Sequence, residues 1–208
     1  MTIASVLLIL AFILSGPTPQ IPAPASPQLV MVVLETDKGA IEIEIDLARA
    51  PITAGNFLKY LDGGLYDGGR FTRTVRRDTE NRTDYPIQVI QATINPARRA
   101  EAFPAIALER TNTTGILHKN GVISMARGNA ADTATNQFFI CIGDQPELDF
   151  GGKRNADGQG FAAFGRVIIG MDVVEAIQRS PVAKSTQDKT ALTQNLSPAI
   201  LISKARRK

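Results

Sequence analysis

From Ala40 to Asp46 apolar and acidic side chains alternate residue by residue, as Ile41-Glu42-Ile43-Glu44-Ile45, which is the period of a strand with one dry and one wet face. The apolar run Leu29 to Glu35 precedes it, and Thr36-Asp37-Lys38-Gly39 supplies a turn, so the two segments predict a hairpin. The period then changes. Ile52, Phe57, Leu58 and Leu61 form a stripe at helical spacing, behind Pro51, whose missing N–H costs nothing in a first turn, and ahead of Gly63-Gly64, which stops the helix. Further strands are predicted at Arg70 to Val75, Pro86 to Thr93, Gly121 to Ala126, Gln137 to Ile142, Phe161 to Val167 and Pro198 to Lys204. A short helix is predicted over Met171 to Gln178, stopped by Ser180-Pro181. About eight antiparallel strands with two helices give an all-β-dominated chain and predict a closed β-barrel capped by its helices.

The first 25 residues carry no charged side chain. Ile3 to Leu14 is almost continuously apolar and too short to span a bilayer, and the Pro-rich stretch after it ends in Ala23-Pro24-Ala25, an A-x-A-like cleavage site. This pattern predicts an export signal cut after Ala25, a mature domain over 26–208, a periplasmic or secreted location and no stable membrane span once cleaved. The alternative is an uncleaved anchoring segment.

Composition removes several classes of chemistry. The chain has 208 residues, 44% hydrophobic and 21% charged, which is ordinary for a globular protein. With one Cys and one His it has no internal disulfide and no Cys/His zinc site, so neither metal nor cofactor is expected. There is no G-x-S-x-G elbow and no phosphate-binding P-loop. Gly158 to Ala163 matches a loose dinucleotide pattern, but a strand rather than a helix is predicted to follow it. His118, with no carboxylate near it in sequence, reads as a solvated loop residue. Net charge is +3, and the arginines between Arg70 and Arg99 have only Phe71 and Tyr85 among them, no interleaving of aromatics that would stack bases, so no nucleic-acid partner is expected. Lys204, Arg206, Arg207 and Lys208 read as a frayed basic tail.

The informative motifs stand in a fixed order: Pro51 to Phe57, Tyr66 followed by Phe71-Thr72-Arg73, then Ser124-Met125-Ala126-Arg127, Asn136-Gln137-Phe138-Phe139-Ile140, Leu148-Asp149, Ala163-Phe164-Gly165-Arg166-Val167 and Gly170-Met171-Asp172. Together they resemble the cyclophilin family of peptidyl-prolyl cis/trans isomerases, from about residue 30 to 180 and again near 200. The resemblance implies a closed eight-stranded antiparallel barrel capped by two helices, working as a monomer on proline-containing segments of unfolded client proteins. It places Arg73 as the donor to the proline nitrogen and Gln91 as the partner of the substrate backbone. It places Phe71, Val89, Ala126, Gln137, Phe139, Leu148 and Phe161 at the substrate.

The chain departs from the family pattern at several of these positions. Thr72 stands for the histidine before the catalytic arginine, Gln88 or Val89 for a pocket phenylalanine, Glu147 for a rim aromatic, and Phe161 for a histidine or tyrosine. Between Arg73 and Gln91 the chain is some ten residues longer, an Arg-rich insertion expected on the groove rim. These changes predict a reduced or substrate-restricted isomerase. The alternative is a non-catalytic peptide-binding module, in which the insertion would select acidic clients.

Overall fold

The computed structural model describes residues 28–187 and 192–208, so the expected export segment lies outside the described residues. Strands β1 (Leu29–Thr36) and β2 (Gly39–Asp46) form the expected hairpin, in register from Thr36 opposite Gly39 to Leu29 opposite Asp46. Ile41, Ile43 and Ile45 are fully buried between the outward-facing glutamates, as the alternation requires. Helix α1 (Pro51–Asp62) follows. It has no acidic residue in its own first turn, and Glu109 takes that part from a distance: its two carboxylate oxygens accept from the N–H groups of Ile52 (3.0 Å) and Thr53 (2.7 Å).

The remaining strands are β3 (Gly69–Val75), β4 (Val89–Thr93), β5 (Val122–Met125), β6 (Phe138–Cys141), β7 (Ala162–Ile169), β8 (Val182–Lys184) and β9 (Leu192–Arg207). The one-turn helix α2 (Thr111–Thr114) precedes β5, and α3 (Met171–Gln178) follows β7. Eight strands close a ring in the order β1-β2-β7-β5-β6-β4-β3-β9, sealed by antiparallel pairing of β1 with β9, while β8 pairs with β9 outside it. The interior is filled by Phe57, Tyr66, Phe71, Phe138 and Phe164, all fully buried, with Phe138 edge-on to Phe57 (5.5 Å) and Tyr66 (5.4 Å). Tyr66 keeps its polar end satisfied by donating to the Asn136 carbonyl at 2.8 Å, and burial holds its hydroxyl well above its ordinary pKa.

The frayed basic tail is not what forms. β9 begins six residues before the predicted strand and runs on to Arg207, with Val32 opposite Arg207 and Leu34 opposite Ala205, which is buried. The four basic side chains pair with Asp67 (Lys204), Glu35 (Arg206), Asp62 (Arg207) and Glu42 (Lys208). Such exposed pairs contribute little individually. The weight lies in the backbone ladder that closes the seam, and a run of charged residues conceals it. The strand predicted from Pro86 is, by contrast, shorter than expected: β4 begins only at Val89, because the residues before it serve a loop. Deleting residues 204–208 should lower stability by at least about 2 kcal/mol, roughly 4–8 °C in Tm. Thermal melting checks this, and an unchanged Tm would show that the tail does not hold the seam.

Candidate active site

Residues two apart on a strand share a face, so a regular β3 would send Phe71 and Arg73 to the same side. The register shifts between them: Phe71 lies opposite Ala92, and Arg73 lies opposite Gln91, the very next residue back along β4. One extra residue, Thr72, forms a bulge that leaves Phe71 fully buried and turns Arg73 outward beside Gln91. Phe71 therefore corrects an expectation. It packs edge-on against Phe138 (6.0 Å) inside the barrel and does not line the groove.

Beyond the bulge, alternation builds a second, smaller apolar cluster on the outer face of the barrel. It comprises Val75, Ile87, Val89, Phe139, Cys141 and Leu148, with Ala126 and Phe161 packed against it. Its mouth is a cavity of ≈ 230 Å³ lined by Val89, Ala126, Phe139, Leu148 and Phe161, with Arg73 and Gln91 at its polar side. Seven of the nine expected site residues thus meet in one cavity, and Gln137 joins Gln91 and Ala126 in an adjoining recess of ≈ 270 Å³. Between the two candidates for the missing pocket ring, Val89 is the one that faces the cavity; the Gln88 side chain is turned to Gln178 (3.4 Å). Phe161 meets Phe139 edge-on at 5.4 Å, so two rings remain. Glu147 is turned to its own loop, accepting from the Lys153 N–H at 2.9 Å.

Arg73 is held on two sides. Its Nη1 donates to Gln91 Oε1 (2.8 Å), while Nε (2.9 Å) and Nη2 (2.6 Å) both donate to Oε1 of Gln194. Gln91 in turn donates to Gln137 Oε1 at 2.7 Å. Burial lowers the Arg73 pKa, and the nearby Arg154 cation adds to that, against an opposing effect of Glu80. Gln194 was invisible from sequence. It stands in the first part of β9, ahead of the predicted strand and 121 residues from the arginine it touches.

Two of the insertion's three arginines are used internally, while Arg77 is exposed. Arg76 bonds Asp78 (2.7 Å) and the Ser180 carbonyl (3.0 Å), and Arg82 bonds Asp84 (2.8 Å) and the Arg154 carbonyl (2.6 Å), so neither is free for an acidic client. Glu80 is the anchor. It accepts from the backbone N–H groups of Arg82 and Ile87 (3.1 Å each) and pairs with Arg154 at 2.8 Å, with side-chain exposures of 4% for Glu80 and 10% for Arg154. The pair clamps the insertion to the loop between Leu148 and Ala162, and places Ile87 and Arg154 in the cavity wall. Gly160 lets that second loop close, because its φ of +66° and a carbonyl 2.7 Å from any added Cβ leave room for no side chain.

His118 is the other correction, for it is buried (1% exposed) rather than solvated. Asp149, distant in sequence, accepts from its backbone N–H (3.0 Å) and meets its Nδ1 at 2.7 Å. Because a carboxylate only accepts, the Nδ1 side carries the proton, and Nε2 is left for the Ser124 hydroxyl at 2.9 Å. The ring lies nearly parallel to Phe139, 15° apart at 5.9 Å, and so backs the cavity floor.

Burial pushes the Glu80 pKa up, but bonds from the Ile87 N–H, Arg154 and the Arg82 N–H outweigh this and hold it below its usual value. A carboxyl lowered on folding contributes stability above its unfolded pKa, and that contribution is lost as pH falls through the folded value. Glu80→Gln should therefore cost about 2–3 kcal/mol at neutral pH and flatten the loss of stability below about pH 4. Urea unfolding across the acid range checks both.

Among the described residues no group of three His, Cys, Asp or Glu is placed to hold a metal, and no helix is long and apolar enough to cross a membrane. The family model for cyclophilin-type peptidyl-prolyl cis-trans isomerases matches residues 31–205. The chain is 34% identical over 158 residues to peptidyl-prolyl cis-trans isomerase A of Dickeya dadantii, covering 76% of each protein. It is 36% identical over 147 residues to a peptidyl-prolyl cis-trans isomerase of Streptomyces antibioticus, covering 71% of this chain and 82% of that one. Among solved structures, a Cryptosporidium parvum cyclophilin-type isomerase superposes with a TM-score of 0.64 at 18% identity, over 86% of this chain and 98% of the other, which is a likeness of fold. A barrel of this topology, an outer-face groove built around Arg73 and a match across nearly all of the described residues lead to one conclusion: the chain belongs to the cyclophilin-type peptidyl-prolyl cis-trans isomerase family.

Proposed function

We propose that this chain is a peptidyl-prolyl cis-trans isomerase that accelerates rotation about Xaa-Pro bonds in proline-containing segments of exported proteins still folding. The observation that carries this is a guanidinium held beside a small apolar cavity with no carboxylate of the described residues bonded to it. The reaction breaks no covalent bond and needs only that amide resonance be lost, against a barrier of roughly 18–20 kcal/mol. As the bond twists, the proline nitrogen becomes pyramidal and regains its lone pair. A donor aimed at that nitrogen is worth more in the twisted state than in the planar one, so it lowers the barrier instead of merely tightening binding.

The residues divide this work between them. Phe139, Leu148, Val89 and Phe161 take the pyrrolidine ring out of water, with contact area as the grip. Gln91 and Gln137 stand beside the ring site with amide groups that can hold the peptide backbone while one half turns. Arg73 has five N–H donors, and the bonds to Gln91 and Gln194 engage one each on Nε, Nη1 and Nη2, which leaves one on each terminal nitrogen for the substrate. Export of the domain beginning at Ser26 is supported by the uncharged, apolar first 25 residues. Secretion and slow proline steps belong together, since uncatalysed isomerisation takes tens of seconds or more.

Arg73→Ala should reduce kcat/KM on a short Xaa-Pro peptide by about 10²–10³-fold while the peptide still binds, because the ring site is untouched. Arg73→Lys should recover only part of the loss, since an ammonium lacks the fixed fork. A protease-coupled rate assay with a parallel binding titration checks this. Equal turnover by Arg73→Ala and wild type would sink the assignment, and a folded wild type that binds without accelerating would leave the peptide-binding module.

A further inference from the structure

Three arginines line the cavity, and they are partnered differently. Arg154 is paired with Glu80 at 2.8 Å, and Arg127 with Asp157 at 2.8 Å. Arg73 alone among the three has no carboxylate partner among the described residues, donating instead to the side-chain amide oxygens of Gln91 and Gln194. Gln194 Oε1 receives both Nε and Nη2, the edge of the guanidinium that a carboxylate takes in a two-point ion pair.

We infer that Gln194 is a positioning residue that aims the Arg73 guanidinium while leaving its charge unneutralised. The inference rests on the isomerase reading above and adds a residue to it. The amide is itself oriented: Gln194 Nε2 donates to the Thr79 carbonyl at 3.1 Å, which turns Oε1 towards Arg73. On the other flank Gln91 is oriented in the same way by Gln137. The result is a continuous chain from Thr79 through Gln194, Arg73 and Gln91 to Gln137, with every acceptor on Arg73 among the described residues neutral. A carboxylate in place of Gln194 would still accept both Arg73 bonds, though it could not donate to the Thr79 carbonyl. It would also cancel most of the field that the developing lone pair feels, because opposite charges in contact act on a third group as a dipole. The insertion after β3 gains a purpose from this arrangement, for Thr79 belongs to it and is buried. It carries the carbonyl that fixes the amide.

Gln194→Ala and Gln194→Glu separate aim from charge. Gln194→Ala should lower kcat about tenfold with KM within about twofold, the loss of two hydrogen bonds to a charged group. Gln194→Glu keeps the shape and both contacts to Arg73 and, while ionised, gives up only the bond donated to Thr79. It should be as poor as Gln194→Ala near neutral pH and then gain activity as pH falls and the new carboxyl protonates, since the acid form offers a carbonyl to Arg73 and a hydroxyl to Thr79. Wild type should show no such gain. Independently of turnover, the Arg73 Nε–H resonance should be protected from exchange in wild type and lose protection in Gln194→Ala. A wild-type kcat in Gln194→Ala, or full activity with a flat pH profile in Gln194→Glu, would overturn the inference. If Gln194→Ala does not fold, the Gln194→Glu profile decides alone. An inactive wild type whose Arg73 N–H is protected would instead refute the isomerase reading, and this role for Gln194 with it.

Discussion

The outer face of this barrel depends on one extra residue in β3. Without the bulge at Thr72, strand alternation would send Arg73 into an interior packed with phenylalanine, where an unpaired guanidinium could not be tolerated. With it, Phe71 fills the core and Arg73 faces out two positions later. The same shift brings Val75 and Val89 out, opposite each other, and Gln91 beside Arg73. On β6, plain alternation then suffices, with Phe138 inward and Phe139 outward. A core that demands a buried aromatic and a groove that demands a cation are reconciled within three residues.

Two loops finish what the strands begin. The segment after β3 and the segment before β7 are clamped by the buried Glu80–Arg154 pair, which puts Ile87 where an apolar wall is needed. Breaking such a pair is costly even where the pair itself contributes little, because the partner left behind is a buried charge. Behind the floor, the chain's single histidine holds Asp149 and Ser124 and supports the Phe139 ring. The pocket thus keeps an apolar interior with fewer aromatic rings, and its wall carries two neutralised arginines and one that is not.

The barrel was legible in the sequence because its strands alternate cleanly. β2 and α3 fall where period and stop signals place them, and the barrel closes with the expected number of strands. Most of the site was legible only through the ordered motifs, since Phe139 or Leu148 taken singly reads as core. What escaped was non-local. Phe71 carries the same pattern signal whether it faces inward or outward, and only the register against β4 decides. His118 has its carboxylate 31 residues away, and Gln194 meets Arg73 across 121. The charged tail looked solvated because its contribution is made by backbone rather than side chains.

The most direct test is exchange spectroscopy on an isotope-labelled Xaa-Pro peptide with a substoichiometric amount of the folded domain. The account predicts cis/trans exchange cross-peaks on a subsecond timescale, with peptide-induced shifts concentrated at Arg73, Gln91, Gln137, Phe139 and Phe161. Binding at these residues without faster exchange, or exchange accompanied by shifts on another face of the barrel, would contradict it.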